Sequence, residues 1–395
     1  MRILFLTGRL PYPPTRGDRL RAYHFLRILS HQHRITLLSF IADDRETGNI
    51  GPLREFCEDI QLVHRGQLHS TTTTIMNLWR PTPLQSLYYR SSVMQGAVDR
   101  LLARRQFDLV YVHLFRMAQF VAGRRRPYRV LDLTDAISTE IERSLPYRDP
   151  KWRLIYRAEL PRIRRYEQDI IHHFDETWLI SNAERRQILQ GKQDERVLVV
   201  PNGVDTGRYR PSGQTTAAPL LIFVGHMGVF HNVDAAEYLA RDILPLVRQS
   251  VPASQLNLVG AEPSTQVQAL ANLAGVNVLG HVADLNAALN DATIFVAPLR
   301  FAAGVQNKVL EAMAAGLPVV TTSYVNTGIE ANDGEHLIVA DDTEGIAQAI
   351  ITLLHDPQAR QRLGKAGRDF VLRNYRWEDV LERVNVIETN MTSMP

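Results

Sequence analysis

Lys308 and Glu311 stand three residues apart in the stretch IFVAPLRFAAGVQNKVLEAMAAGLPVVTT (294–322), a spacing that lays an ammonium and a carboxylate on one helix face. Ahead of them, Ala302, Ala303 and Gly304 leave the backbone nearly bare, so a ligand can approach the main-chain amides of Gly304, Val305 and Gln306 closely. A helix that begins near Val305 or Gln306 turns its free N–H groups and the positive end of its dipole towards that loop, which suits a diphosphate. Ordinary strand–loop–helix packing with small residues gives the same pattern, so a nucleotide site is one of two readings.

The flanking elements must hold that loop. Ile294–Ala297 is a short apolar run of the kind found in a strand buried on both faces, and Pro298 ends it by removing a ladder donor. Val309, Leu310 and Met313 give the helix an apolar face, Gly316 and Pro318 stop it, and 319–322 is the next strand. Along the whole chain the pattern predicts α/β architecture in two doubly wound units. Strands are predicted at 2–7, 35–41, 108–113, 129–134 and 176–180, then at 220–225, 255–260, 276–279, 293–297, 318–322 and 337–339. The turn-rich PNGVDTGRYRPSGQTTAAP separates the two sets. Ligands of such sheets bind beyond the carboxyl ends of the strands, so the expected site is a cleft between the units.

Length and composition suit an α/β enzyme. The 395 residues are enough for two or three cores, and the single cysteine, Cys57, excludes an intramolecular disulfide. No apolar run approaches the roughly 20 residues of a membrane span. MRILFLTGRL reads as a strand and not as a signal peptide, because Arg9 and the PYPP turn cut it off; the expected location is cytoplasmic. Neither clustered Cys/His spacing nor an Asp-x-Asp at a strand end is present, so no metal is expected. Charge is uneven: residues 1–210 hold 34 Lys and Arg against 23 Asp and Glu, while the remainder holds 11 against 19. Basic residues are dense from Arg143 to Arg165, interleaved with Tyr147, Trp152, Tyr156 and Tyr166. That stretch fits peripheral contact with an anionic membrane at the inner face of the plasma membrane, or equally an Arg-laced solvated helix. Nucleic acid is not indicated, since no recognised motif accompanies the charge.

The segment PLRFAAGVQNKVLEAMAAGLPVV resembles the C-terminal signature of retaining GT-B glycosyltransferases of family 4, and is most similar to a bacterial subgroup found with exopolysaccharide assembly genes. Other blocks agree in position and order: MRILFLTGRL with PYPPTRGDRLRAYHFLRIL and RITLLSF, then RVLVVPNGVDTGRY (196–209), LLIFVGHMGVFHNVDAAEYL (220–239), LNLVGAEP and VNVLGHVADLNAALNDATIFVAPL. The match is weakest between about 45 and 105. The resemblance implies an acceptor-side domain over 1–205, a linker at 206–218, a nucleotide-sugar domain over 219–372, and a last helix, 373–395, that packs back on the first domain.

It also implies roles. Lys308, the amides of Gly304, Val305 and Gln306, and Arg300 would stabilise the leaving diphosphate, and Glu311 would take the ribose hydroxyls. The family's other Glu falls at Ala303, so contacts to the donor sugar would come from main-chain groups around Phe301–Gly304 or from the facing domain. Where many relatives carry an Arg and a Lys after Gly225, this chain has His226 and His231, each open to a phosphate or a packing role. In the first domain, Gly17 and Asp18 match a loop whose amides approach donor or acceptor, and His113 matches a cleft histidine near the donor sugar. Of Asp132 and Asp135, one would orient the acceptor and the other cap a helix. Asn202 would touch the cleft or simply form an Asn-Gly turn.

The function implied is transfer of a hexose-type sugar from a nucleoside-diphosphate sugar, UDP- or GDP-linked, to an acceptor hydroxyl with retention and without a metal or other cofactor. The acceptor would be lipid-linked or a growing polysaccharide. Three other readings stay open: a nucleotide-sugar epimerase of the same fold, a non-catalytic subunit suggested by Ala303, and an enzyme with a soluble small-molecule acceptor.

Overall fold

Apolar runs bounded by turn residues become parallel strands covered on both faces. The structure, a computed structural model, describes residues 1–14, 17–66, 71–72, 76–77, 79–213, 218–301 and 304–384. In these, the first unit carries β1 (Arg2–Thr7), β2 (Arg34–Ile41), β3 (Asp59–His64), β4 (Leu109–His113), β5 (Tyr128–Thr134), β6 (Glu176–Leu179) and β7 (Val197–Val199). They form one sheet in the order β3-β2-β1-β4-β5-β6-β7. The second unit carries β8 (Leu220–Val224), β9 (Gln255–Val259), β10 (Val276–Gly280), β11 (Ile294–Ala297), β12 (Val319–Thr321) and β13 (Ile338–Val339), ordered β10-β9-β8-β11-β12-β13. All pairings within both sheets are parallel. The expected α/β class with two Rossmann-like units is what the chain adopts.

Strand order reverses between β1 and β4 in the first sheet and between β8 and β11 in the second. At such a switch point the two connections leave in opposite directions and open a crevice at the carboxyl ends. The loops after β1, β4, β8 and β11 are therefore the ones that can meet a ligand. Gly17 and Asp18 follow β1 at the start of the next helix, His113 ends β4, Gly225 and His226 follow β8, and the Lys308 segment follows β11.

Side-chain alternation sorts the first core. Leu4, Leu6, Val110, Val112, Leu131 and Leu133 face one layer of helices. Phe5 and Tyr111 point the other way and stack at 4.3 Å, with Phe25 and Trp178 completing an aromatic layer at 5.5 Å from each other. Two strands of this sheet are absent from the sequence expectation. β3 is half-buried at the sheet edge and reads DIQLVH, so its polar residues hide the pattern; β7 is three residues long.

The chain divides after Val200, so PNGVD and the turn-rich stretch behind it belong to the second unit, a few residues earlier than the expected boundary at 205. Gly203 lies against Trp377, where a Cβ would stand 2.5 Å from the indole, and Val204 bridges to Arg376. The final helix is described over Trp377–Val384; of the 373–395 expected to return onto the first domain, residues up to Arg383 belong to the second unit and 385–395 lie outside the described residues.

Close backbone approach fixes β8 against β9 at their carboxyl ends. Gly260 has φ +150°, and a Cβ there would stand 1.6 Å from the Gly225 carbonyl oxygen. No side chain fits without moving the backbone of the loop after β8. Gly260→Ala should therefore lower stability by about 3 kcal/mol or more, read as a drop in the urea midpoint; an unchanged midpoint would show that this approach is not rigid.

Candidate functional site

In the second unit β11 is wholly buried, and the chain leaves it through Pro298 to reach Gly304 at φ 64°. A Cβ on Gly328 would stand 2.4 Å from the Gly304 carbonyl, so this turn is seated on a neighbouring backbone. The helix Asn307–Ala314 follows, with Gln306 at its N-cap and no side-chain cap. Its first intrahelical bond is donated by Val309 N–H to the Gln306 carbonyl (2.9 Å). The amides of Asn307 and Lys308 thus precede the hydrogen-bonded turns and point out of the helix end. Val309, Leu310 and Met313 are fully buried, as the apolar pattern requires.

Lys308 and Glu311 share a face of that helix as expected. The Lys308 ammonium lies 5.1 Å from the centre of the Phe223 ring and donates to Asn232 Oδ1. Asn232 Nδ2 in turn donates to the His226 carbonyl (3.1 Å), and a Cβ on Gly225 would stand 2.7 Å from Asn232 Cγ. Asn232 therefore joins the loop after β8 to the helix after β11. It closes the block VGHMGVFHN, in which the sequence reading weighed Gly225 and the two histidines but not this asparagine.

Glu311 receives a hydrogen bond from the Tyr209 hydroxyl and feels the Arg208 guanidinium. Arg368 donates to the carbonyls of Tyr209 (3.2 Å) and Ala314, which ties Tyr209 to the far end of the same helix. Burial pushes the Lys308 ammonium down to about 7 and the Glu311 carboxyl up to about 7, each against the attraction of the other. Both groups are thus poised near neutral pH.

Three other expected site residues have definite places. Arg300 is engaged by Asp234 through two hydrogen bonds, 3.0 Å from Nε to Oδ2 and 2.5 Å from Nη2 to Oδ1, and its guanidinium lies 4.8 Å from the centre of the Tyr238 ring. The Asp234 carboxylate thus holds this fork. His226 Nε2 sits 3.4 Å from Glu262 Oε2, so this imidazole has an acidic neighbour where relatives are expected to be cationic. Asn202 is buried and donates to Asn307 Oδ1 (2.9 Å), which places it in the second unit at the start of the Lys308 helix. Ala303 lies outside the described residues.

The first unit brings its candidates together around Asp132 at the end of β5. This carboxylate is fully buried and accepts from Arg21 Nε at 2.9 and 2.8 Å, from the Tyr111 hydroxyl and from Thr134 Oγ1 (3.3 Å). His113 Nδ1 is 3.0 Å from Asp132 Oδ2, and its Nε2 is 3.0 Å from the Asp18 carbonyl. The imidazole thus clamps the start of the helix Gly17–Leu29 to β4. Despite its burial, Asp132 is held well below the usual carboxylate range by Arg21 and His113. With its oxygens so engaged, Asp132 lies beneath His113 and cannot face an acceptor directly.

Asp18 is also lowered, by Arg9 (3.4 Å) and Arg116 (3.7 Å). At Gly17 a Cβ would meet none of the described residues within 4 Å. Asp135 has one buried carboxylate oxygen with no hydrogen-bond partner among the described residues, and burial beside Glu184 and Glu140 pushes it up to about 8. Glu184 accepts from Ala136 N–H (2.6 Å) and Glu167 from Ser138 N–H (3.2 Å) and Oγ (2.5 Å), so these acids staple the helix that starts at Ile137. A cavity of about 290 Å³ adjoins Glu167, Arg164 and Arg186 in this unit, apart from the loops at the switch point. Among the described residues no three His, Cys, Asp or Glu side chains cluster closely enough to hold a metal ion.

Burial pushes Glu167 up to about 7, above its value in an unfolded chain. The folded state then binds more protons than the unfolded one between pH of about 4 and 7, so stability falls as pH rises through that window. Glu167→Gln should flatten the fall, measured as Tm against pH; parallel curves for the two proteins would show that Glu167 titrates normally.

Residues 218–356 match the family described as Glycosyl transferases group 1. A phosphatidyl-myo-inositol mannosyltransferase of Mycobacterium leprae is 30% identical over 222 residues, 54% of this chain and 59% of that protein. The chain thus spans about six-tenths of that relative. A Klebsiella pneumoniae protein described as an uncharacterized 44.6 kDa protein in cps region is 21% identical over 95% of this chain and 96% of its own. Among solved structures, Anabaena Alr3699/HepE in complex with UDP superposes with a TM-score of 0.71 at 16% identity, covering 98% of this chain and 100% of the other. The chain therefore has a GT-B fold, and its second unit matches the glycosyl transferases of group 1 across both loops of its switch point.

Proposed function

We propose that this chain is a retaining, metal-independent glycosyltransferase of family 4 that moves a sugar from a nucleoside-diphosphate sugar to an acceptor hydroxyl. The observation that carries the proposal is the half-buried Lys308 ammonium at an uncapped helix start, one turn ahead of Glu311, within the matched stretch. Lys308 and the amides from Gly304 onwards oppose the charge that develops on the departing diphosphate. Glu311, oriented by Tyr209, accepts from the ribose hydroxyls. The UDP bound by the Anabaena relative supports this donor class.

The bond from the anomeric carbon to the diphosphate oxygen breaks, and the acceptor oxygen bonds to the same face of the sugar. Its proton passes to the leaving phosphate, so no covalent sugar–enzyme intermediate is needed. In this reading the first unit, 1–200, serves the acceptor and the second unit the donor. His113 acts by clamping the loop that carries Gly17 and Asp18. Asp135, protonated near neutral pH by its burial, is a donor that could orient the acceptor hydroxyl. The acceptor proposed is a lipid-linked or polysaccharide intermediate at the inner face of the plasma membrane. The M. leprae relative, named for a phosphoinositide, and the Klebsiella protein of the cps region support that choice.

Calorimetry with UDP and GDP tests the donor site. Lys308→Met should weaken diphosphate binding by about tenfold to a hundredfold, the worth of a charged hydrogen bond. Glu311→Gln should weaken the free nucleoside as much as the diphosphate. Because the ammonium loses its proton near 7, wild-type affinity should fall as pH rises above about 7, by up to about tenfold per unit, and Lys308→Met should lose that slope. Full affinity in the Lys308 variant would refute the assignment.

A further inference from the structure

The helix Pro150–Ile170 is buried only in its later turns. Glu159, Leu160, Ile163, Glu167 and Ile170 are covered, whereas no residue from 150 to 158 is. In that uncovered end Trp152, Leu154 and Ile155 are 47%, 72% and 45% exposed, and Tyr147 just ahead of it is 39% exposed. Scattered apolar residues are normal on any surface, but three large ones within four positions of one projecting helix end are not.

The charges around them are of one sign. From Arg143 to Arg165 there are eight basic residues and two acids, Asp149 and Glu159. Glu159 is turned inward, where it accepts from Leu84 N–H (2.5 Å) and pairs with Arg162 (3.6 Å). Lys151, Arg157 and Arg165 are exposed, and among the described residues none of the three has an acidic partner. Arg148 lies over the Tyr156 ring at 4.2 Å, and Tyr156 lies 6.3 Å from Trp152, so the aromatic part of the patch is held in place.

We infer that the 147–158 end of this helix is a docking surface for an anionic lipid bilayer. Trp and Tyr rings suit the headgroup boundary, Leu and Ile reach below it, and long Lys and Arg side chains meet lipid phosphates while their stems lie against the apolar layer. A second copy of this chain meeting the patch face to face would set the same cations against one another. Leu84 N–H on Glu159 ties the segment after Trp79 to this helix, and Trp79 is itself 77% exposed, with the Arg80 guanidinium 5.4 Å from the centre of its ring. For its purpose the inference rests on the membrane-borne acceptor proposed above, although the binding itself does not require it.

Flotation of the full chain tests the surface without using the reaction. Vesicles of phosphatidylcholine alone should leave the protein in solution, and vesicles that also contain phosphatidylglycerol should carry it up. Two variants of exposed positions follow: Trp152→Ala with Leu154→Ser and Ile155→Ser, and Lys151→Glu with Arg157→Glu. Each should lower the bound fraction by roughly tenfold or more, since apolar insertion and charge attraction both contribute. Unchanged UDP calorimetry and thermal melts in the same variants would show that the fold and the donor site are intact. Wild-type protein that stays in solution with anionic vesicles would overturn the inference, as would variants that float as well as wild type. Flotation without UDP affinity would sink the proposed function and leave this surface standing.

Discussion

A lysine ammonium kept largely out of water, with an aromatic ring on one side and an amide oxygen on another, is the constraint around which the second unit is arranged. Desolvation disfavours its charge, and Glu311 one turn later answers only part of that cost. Asn232 supplies the remaining polar partner and thereby joins the loop after β8 to the helix after β11. The glycines follow from this junction, since Gly225 makes room for Asn232 and Gly260 makes room for Gly225. An anion entering the turn would meet a cation whose solvation is already reduced, which is the arrangement that makes electrostatic stabilisation strong.

The first unit solves a different problem with similar means. Its buried charge, Asp132, is fully paired and lies low, because Arg21, Tyr111, Thr134 and His113 all converge on it. A buried pair of this kind is poor evidence for stability but holds the groups around it in one geometry. Through His113 that geometry reaches the Asp18 carbonyl and so the start of the first helix. Asp135, three residues along the chain, has the opposite character: its neighbours are acids and its charge is suppressed. Two carboxyls close in sequence are thus sorted by their surroundings into a fixed anion and a group that holds its proton.

Several elements were legible in the residues alone. The strand before Pro298, the helix with Lys308 and Glu311 on one face and the stop at Gly316 all appear where apolar spacing and turn residues place them. β3 was hidden because an edge strand tolerates Asp, Gln and His, which erase the alternation. Arg300 shows what spacing cannot carry: its position in the loop was legible, but its pairing with Asp234, 66 residues away, was not.

The sequence by itself determined the local pieces: which runs are strands, where the bare loop lies, and that an ammonium and a carboxylate share a helix face. Those follow from backbone preference and side-chain period, which are properties of neighbours along the chain. Only the tertiary structure decided the partners, Asn232 for Lys308, Tyr209 for Glu311, Asp132 for His113, and with them which groups are charged near neutral pH. Desolvation and pairing depend on residues distant in the chain and brought together by the fold, and no local spacing records them.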